Sequence, residues 1–166
     1  DGITYSYTVG SLNTGSVTGC NTSVTNASIL STFTTGGNTY NVTTIGTAAF
    51  KSKTNLASVS VPNSVTSIGT EAFMRCFGLS SISLSNSVTT IGNSAFRECN
   101  ALTSTNFLNL VTTIGNDAFR NCSGLTTATL PNSVTSIGNN VFSDCYAHLL
   151  SATLPNSITS MGESVF

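Results

Sequence analysis

A nine-residue phrase returns along this chain at a fixed interval. Ile91-Gly92-Asn93-Ser94-Ala95-Phe96-Arg97-Glu98-Cys99 is one full copy. The same Ile-Gly-x-x-Ala-Phe-x-x-Cys pattern recurs over 68–76, over 114–122 and, with Val141 in place of Ala, over 137–145. An incomplete copy opens at Ile45-Gly46 with Ala49-Phe50, where Lys53 holds the place of the cysteine, and a last one begins at Met161-Gly162 with Val165-Phe166. The phenylalanines of the phrase are Phe50, Phe73, Phe96, Phe119, Phe142 and Phe166, in four steps of 23 residues and one of 24. A unit this short cannot bury an apolar face alone. It must stack on copies of itself, which makes a solenoid.

Between the phrases the apolar residues keep a second rhythm. Each unit opens with an apolar-x-x-apolar-x-apolar run: Leu56/Val59/Val61, Leu79/Ile82/Leu84, Leu102/Thr105/Phe107, Leu125/Ala128/Leu130 and Leu149/Ala152/Leu154. Alternation of this kind marks a strand with one buried face. Pro62, Pro131 and Pro155 each end that strand, where a missing N–H removes no needed ladder bond. A second short extended piece turns Val65 and Ile68 inward, then Val88 and Ile91, Val111 and Ile114, Val134 and Ile137. The glycine that follows is expected to permit a tight turn. Phe and Cys, three apart, then share one face of a helical or 3₁₀ turn. The expected fold is a mainly parallel β solenoid of about six 23-residue coils with short helical or 3₁₀ turns.

The first 20 residues lie outside the repeat. Ile3, Tyr5, Tyr7 and Val9 alternate with polar residues, Asn13-Thr14-Gly15 signals a turn, and Ser16-Val17-Thr18 can return. That predicts an N-terminal hairpin, residues 1–20, capping a repeat domain over 21–166. Within the latter, residues 21–44 read as a divergent coil, with a strand near Ala27–Leu30 and a turn at Gly36-Gly37-Asn38.

Leu-x-x-Ile-x-Leu followed by Asn-Ser-Val-Thr-Thr-Ile-Gly-x-x-Ala-Phe-x-x-Cys resembles the BspA-type leucine-rich repeat, over roughly residues 27–166. The N-terminal hairpin is similar to that family's usual lead-in. The resemblance implies a surface or secreted protein with a role in adhesion to host matrix or other cells. Thr105 departs from the pattern, since an inward Leu or Ile is usual there, and His148 falls in a one-residue insertion.

Stacking the coils turns each recurring residue into a column. Phe50, Phe73, Phe96, Phe119, Phe142 and Phe166 form a core spine, since buried aromatics dominate core energetics. Cys76, Cys99, Cys122 and Cys145 form a second column. Metal ligands must converge, whereas a column delivers them in a line, and parallel side chains suit a disulfide poorly. Buried thiols acting as small hydrophobes are the expected state. Cys20 has no partner in register.

Only 7% of residues are charged, against 39% hydrophobic, and the net charge is −1. Ordinary globular domains carry about a quarter charged residues. Nothing here makes the basic footprint of a nucleic-acid binder, and no apolar run approaches the ~20 residues of a membrane span. The chain opens at Asp1 rather than Met and shows no signal peptide, which reads as a processed or excised product. His148 is the single histidine, and the six carboxylates do not pair. General acid–base chemistry needs groups converging on one pocket, so the expectation is no enzyme, no metal and no cofactor.

Where the charge sits says more than how much there is. Apart from Asp1, every Lys, Arg, Asp and Glu lies within three residues of a spine phenylalanine. The strands carry none. Their outward positions include Ser60, Ser81, Ser83, Ser104, Asn106, Thr127, Thr129, Ser151 and Thr153, an uncharged face fitted to a protein or glycan partner. A second outward column, Thr66, Thr89, Thr112, Thr135 and Thr159, offers hydroxyls too. Asn-x-Ser/Thr at Asn21, Asn26 and Asn41 marks possible glycosylation sites; Asn121 also fits but sits beside a core cysteine. The expected function is a non-catalytic binding or adhesion module, extracellular or on the cell surface. The alternative is a structural subunit of a filament or coat, self-associating end to end through an open C-terminal coil.

Overall fold

The computed structural model describes residues 2–8, 13–106, 108–145 and 148–166. The strand positions expected at Val9 and Phe107, and Asp1, lie outside the described residues. The chain winds into a β solenoid whose successive coils pair in parallel at a register of 23 residues. Three sides can be distinguished.

The first side is a nine-stranded sheet. It starts with an antiparallel hairpin, β1 (Ile3–Thr8) and β2 (Thr14–Cys20), with Asn13 at φ 42° entering the second strand. β2 then pairs in parallel with β5 (Asn38–Ile45). After β5 come the two-residue strands β7 (Ser67–Ile68), β9 (Thr90–Ile91), β10 (Thr113–Ile114), β12 (Ser136–Ile137) and β14 (Ser160–Met161). A second hairpin joins β4 (Thr32–Thr35) to β5 across Gly36 and Gly37, at φ 56° and 79°. Left-handed backbone of that kind favours glycine.

The second side holds the alternating runs. β3 (Asn26–Ser28), β6 (Ser58–Ser60) and β8 (Ser81–Ser83) form one parallel sheet, and β11 (Thr127–Thr129) and β13 (Ser151–Thr153) form another. Every central inward residue except Ala152 is buried, from Ala27 and Val59 to Ala128. The strand begins at Asn26, one residue before the expected Ala27.

The third side is the phenylalanine stack. Phe50, Phe73, Phe96 and Phe119 are fully buried and Phe142 nearly so, with ring centroids 5.0–5.5 Å apart and planes within 11° of parallel. Phe166 continues the stack at 5.5 Å but is 50% exposed.

The expected helical or 3₁₀ turn is not found on this side: the described residues contain no helix. A chain of β-turns stands in its place. In one coil the amides of Ala72, Met74 and Cys76 bond back to the carbonyls of Gly69, Glu71 and Phe73. The intervening amides of Glu71, Phe73 and Arg75 donate forward to Asn93, Ala95 and Arg97 of the next coil, each at 2.8 Å. A helix would spend every amide inside its own segment. Releasing alternate amides needs alternate peptide orientations, and two residues per coil take positive φ to supply them, such as Glu71 (55°) and Arg75 (61°).

The glycines play a role other than the one expected. Gly69, Gly92, Gly115 and Gly138 are not among the positive-φ residues. They are small because the coils touch there: a Cβ on Gly115 would lie 2.7 Å from the Asn93 amide nitrogen and 2.8 Å from the Gly92 carbonyl carbon.

Candidate binding face

The ionisable groups stay on the turn side and largely neutralise one another. Lys51 meets Glu71 at 2.7 Å, Arg75 meets Glu98 at 3.2 Å, and Arg120 lies between Asp117 (3.3 Å) and Asp144 (3.0 Å). Three of these four pairs join adjacent coils, so the charge acts as a surface stitch of modest worth.

Each thiol of the cysteine column donates to a main-chain carbonyl of the coil before it: Cys76 to Phe50, Cys99 to Phe73, Cys122 to Phe96 and Cys145 to Phe119, at 2.9–3.1 Å. All five cysteines are free and buried. Burial pushes the Cys76 thiol up to about 12 and raises Cys99 and Cys122 well above the ordinary thiol value, with nearby thiols adding to the effect. A protonated thiol keeps the donor that its carbonyl needs. Among the described residues no three metal-ligating side chains converge.

A third column was not apparent from the sequence. Asn93 Oδ1 accepts the Asn116 amide at 2.9 Å, Asn116 Oδ1 that of Asn139 at 2.9 Å, and Asn139 Oδ1 that of Glu163 at 2.8 Å. Its signal was available, since asparagine follows the glycine in three successive phrases.

The two hydroxyl-bearing sides differ in what their hydroxyls do. Thr66, Thr89, Thr112, Thr135 and Thr159 each donate to a threonine carbonyl of the preceding coil, at 3.1–3.4 Å. Those donors are committed to holding the coils together. On the strand side, Ser60, Ser81, Ser83, Asn106, Thr129, Ser151 and Thr153 are exposed, and Ser104 and Thr127 half-buried. Among the described residues none of these nine side chains makes an internal hydrogen bond. Their donors and acceptors are free for a partner.

The face is not flat. Over β3, β6 and β8 runs a hollow of about 300 Å³, lined by Asn26, Ser58, Ser60, Ser81 and Ser83 among others. A second, of about 370 Å³, shares Ser81 and Ser83 with it and extends to Thr103, Ser104 and Asn106. It opens where the ladder breaks. Ser104 bridges forward to Thr127 but does not pair with β8.

The cause lies in the departure at Thr105. This residue is fully buried, and its hydroxyl donates to the Thr129 carbonyl at 2.8 Å, drawing the strand toward β11. Leu108 N then bonds to Thr105 O at 3.1 Å, turning the chain and placing Leu108 in the core where other coils have Ser85 or proline.

Other sites marked in the sequence fall elsewhere. Asn21, Asn26 and Asn41 are exposed; so is Asn121, despite its place beside Cys122. Asn26 Oδ1 also accepts a 2.6 Å bond from Ser58 Oγ. His148 is exposed, with Nδ1 2.9 Å from Ser123 O.

Comparison with known proteins agrees with this architecture. The profile of the BspA type leucine rich repeat region matches in six copies over residues 43–166. A leucine rich cell surface protein from Faecalibacterium prausnitzii is 35% identical and superposes with a TM-score of 0.86, over 98% of this chain and 44% of that one. The chain thus spans less than half of that protein's length. The leucine rich repeat protein of T. pallidum is 26% identical at a TM-score of 0.79, over 99% and 85%. The pneumococcal vaccine antigen PcpA shares the fold at 22% identity and a TM-score of 0.62, over 96% of this chain and 48% of that one. No curated protein matches the chain.

Proposed function

The chain belongs to the BspA-type leucine-rich repeat family, and from that premise we propose that it is a non-catalytic adhesion or binding module, extracellular or at the cell surface, that holds a protein or glycan against its strand face. One observation carries the choice of face. Its nine candidate side chains are uncharged and unspent, whereas the threonine column has committed its hydroxyls to the neighbouring coil. An uncharged face recognises by hydrogen-bond pattern and shape rather than by long-range steering, so its binding should depend little on salt. The cell-surface description of the F. prausnitzii relative supports the location.

The test is a binding screen of the chain against immobilised extracellular-matrix proteins and glycans. Changing Ser60, Thr129 and Ser151 together to Lys should abolish any binding found, and the same change at Thr66, Thr135 and Thr159 should spare it. Retention by the first variant and loss by the second would place the site on the wrong side, and no binding at all would remove the reading.

A further inference from the structure

The break beside β8 releases main-chain groups that every other coil uses. Two successive amides in a coil normally donate to one carbonyl of the coil before. Ala57 and Ser58 bond to Thr25 O, Ser80 and Ser81 to Ala57 O, Thr126 and Thr127 to Thr103 O, and Leu150 and Ser151 to Thr126 O. Among the described residues, Thr103 and Ser104 make no such bond to Ser80 O. These two N–H groups and this carbonyl belong to residues that line the 370 Å³ cleft, as does Leu84, whose N–H lacks the forward bond that Ile29, Val61 and Leu130 make among the described residues; the side chains of Ser81, Ser83 and Asn106 stand around them. Main-chain polar groups in a recess require partners.

We propose that this cleft is a subsite for a neutral saccharide. The inference rests on the strand-face reading above and assigns that face a ligand class. A group that fits between a carbonyl and a pair of amides must both donate and accept, and a sugar hydroxyl does both. A carboxylate or phosphate only accepts, and would meet the Ser80 carbonyl with no cation among the described residues that line the cleft; an ammonium only donates, and would meet two N–H groups. Ile82, Leu84 and Leu102 also contribute to the lining and give the C–H face of a sugar ring apolar contact. The volume lies within the ~300–1,000 Å³ typical of small-molecule sites.

A peptide strand has the right polarity but not the room. Inserting one would require the coils to stand two strand spacings apart, about 9.6 Å. On the other sides the same two coils remain in direct contact, with β9 paired to β10 and Phe96 stacked on Phe119 at 5.2 Å. The cleft is a notch, closed behind.

The experiment is amide-resolved NMR titration of the intact chain with maltotetraose, cellotetraose and chitotetraose, each to about 10 mM, where a millimolar complex is well populated. A sulfated disaccharide serves as the charged control. At least one neutral sugar should shift the Ser83, Thr103, Ser104 and Asn106 amides, and the sulfated one should not. Ser83→Trp, which fills the notch from an exposed position, should abolish the shifts; Asn106→Ala should weaken binding about tenfold; Thr153→Trp, far along the face, should leave it unchanged. Silence from all three neutral sugars, shifts on another side, or preference for the sulfated sugar would overturn the proposal. If the screen finds a protein that needs Ser60 and Thr129 while the titration stays silent, the saccharide subsite falls and the strand-face reading stands.

Discussion

The turn side and the strand side are built from the same repeats yet answer irregularity differently. Along the turn side every rung is filled from Phe50 to Phe166, and alternate amides clasp the next coil without a gap. Along the strand side the ladder stops after β8 and resumes at Ser104. The coil that breaks it, at Thr105 and Leu108, has its phenylalanine Phe119 stacked as regularly as any other. Coil spacing is thus set by the aromatic stack and the long sheet. The strand side is free to open because it is not what holds the coils at their distance.

The strongest way to break that division is to remove a rung of the stack. Phe96→Ala should cost about 3–5 kcal/mol in urea denaturation, and Phe166→Ala far less, since half of that ring is already in water. A loss below about 1 kcal/mol for Phe96→Ala would mean that the stack does not set the spacing. A smaller effect is expected where the coils touch without side chains. Gly115→Ala forces a Cβ against the main chain of Asn93 and Gly92 and should cost about 1–3 kcal/mol, read as a lowered melting midpoint. If the glycine served only turn geometry, at its ordinary φ alanine would be tolerated. The smallest effect has the opposite sign. Ala48 holds φ at 55° while its amide donates to Thr70 O, and Ala48→Gly should keep the bond and stabilise by about 0.5–1 kcal/mol. Destabilisation by that exchange would show that the left-handed positions are not strained.

Those substitutions also mark what the sequence made legible. The inward residues and the aromatic spine were readable because they recur at one period and belong to one chemical class, so spacing alone identifies them. The positive-φ sites recur as strictly but carry Ala, Ser, Glu, Arg, Asp and Asn, which share no common signature for that conformation. Glycine does have one, its freedom at positive φ, but in these coils its small size is the reason for its place. Which hydroxyl face is already committed was not legible in sequence, because it depends on whether a carbonyl of the previous coil lies within reach, as it does for Thr89 and not for Ser83. Thr105 stood out as a polar residue at an inward place. Its consequence did not, since opening the ladder also takes Leu108 entering the core in the place of a bend residue.

The 23-residue register has a genetic corollary. Each spine ring and touching glycine meets its own counterpart one coil away, each bonded asparagine meets the amide of the equivalent position in the next coil, and each thiol meets the same phenylalanine carbonyl of the coil before. Excising residues 74–96 would join Phe73 to Arg97 and restore the phrase Ile-Gly-Thr-Glu-Ala-Phe-Arg-Glu-Cys across the seam. Unequal crossing-over between like positions can therefore lengthen or shorten the coding sequence by whole coils without a scar in the product. The interrupted coil is the exception: its contacts with the coils on either side are its own, so its duplication or loss would not leave the neighbouring contacts unchanged.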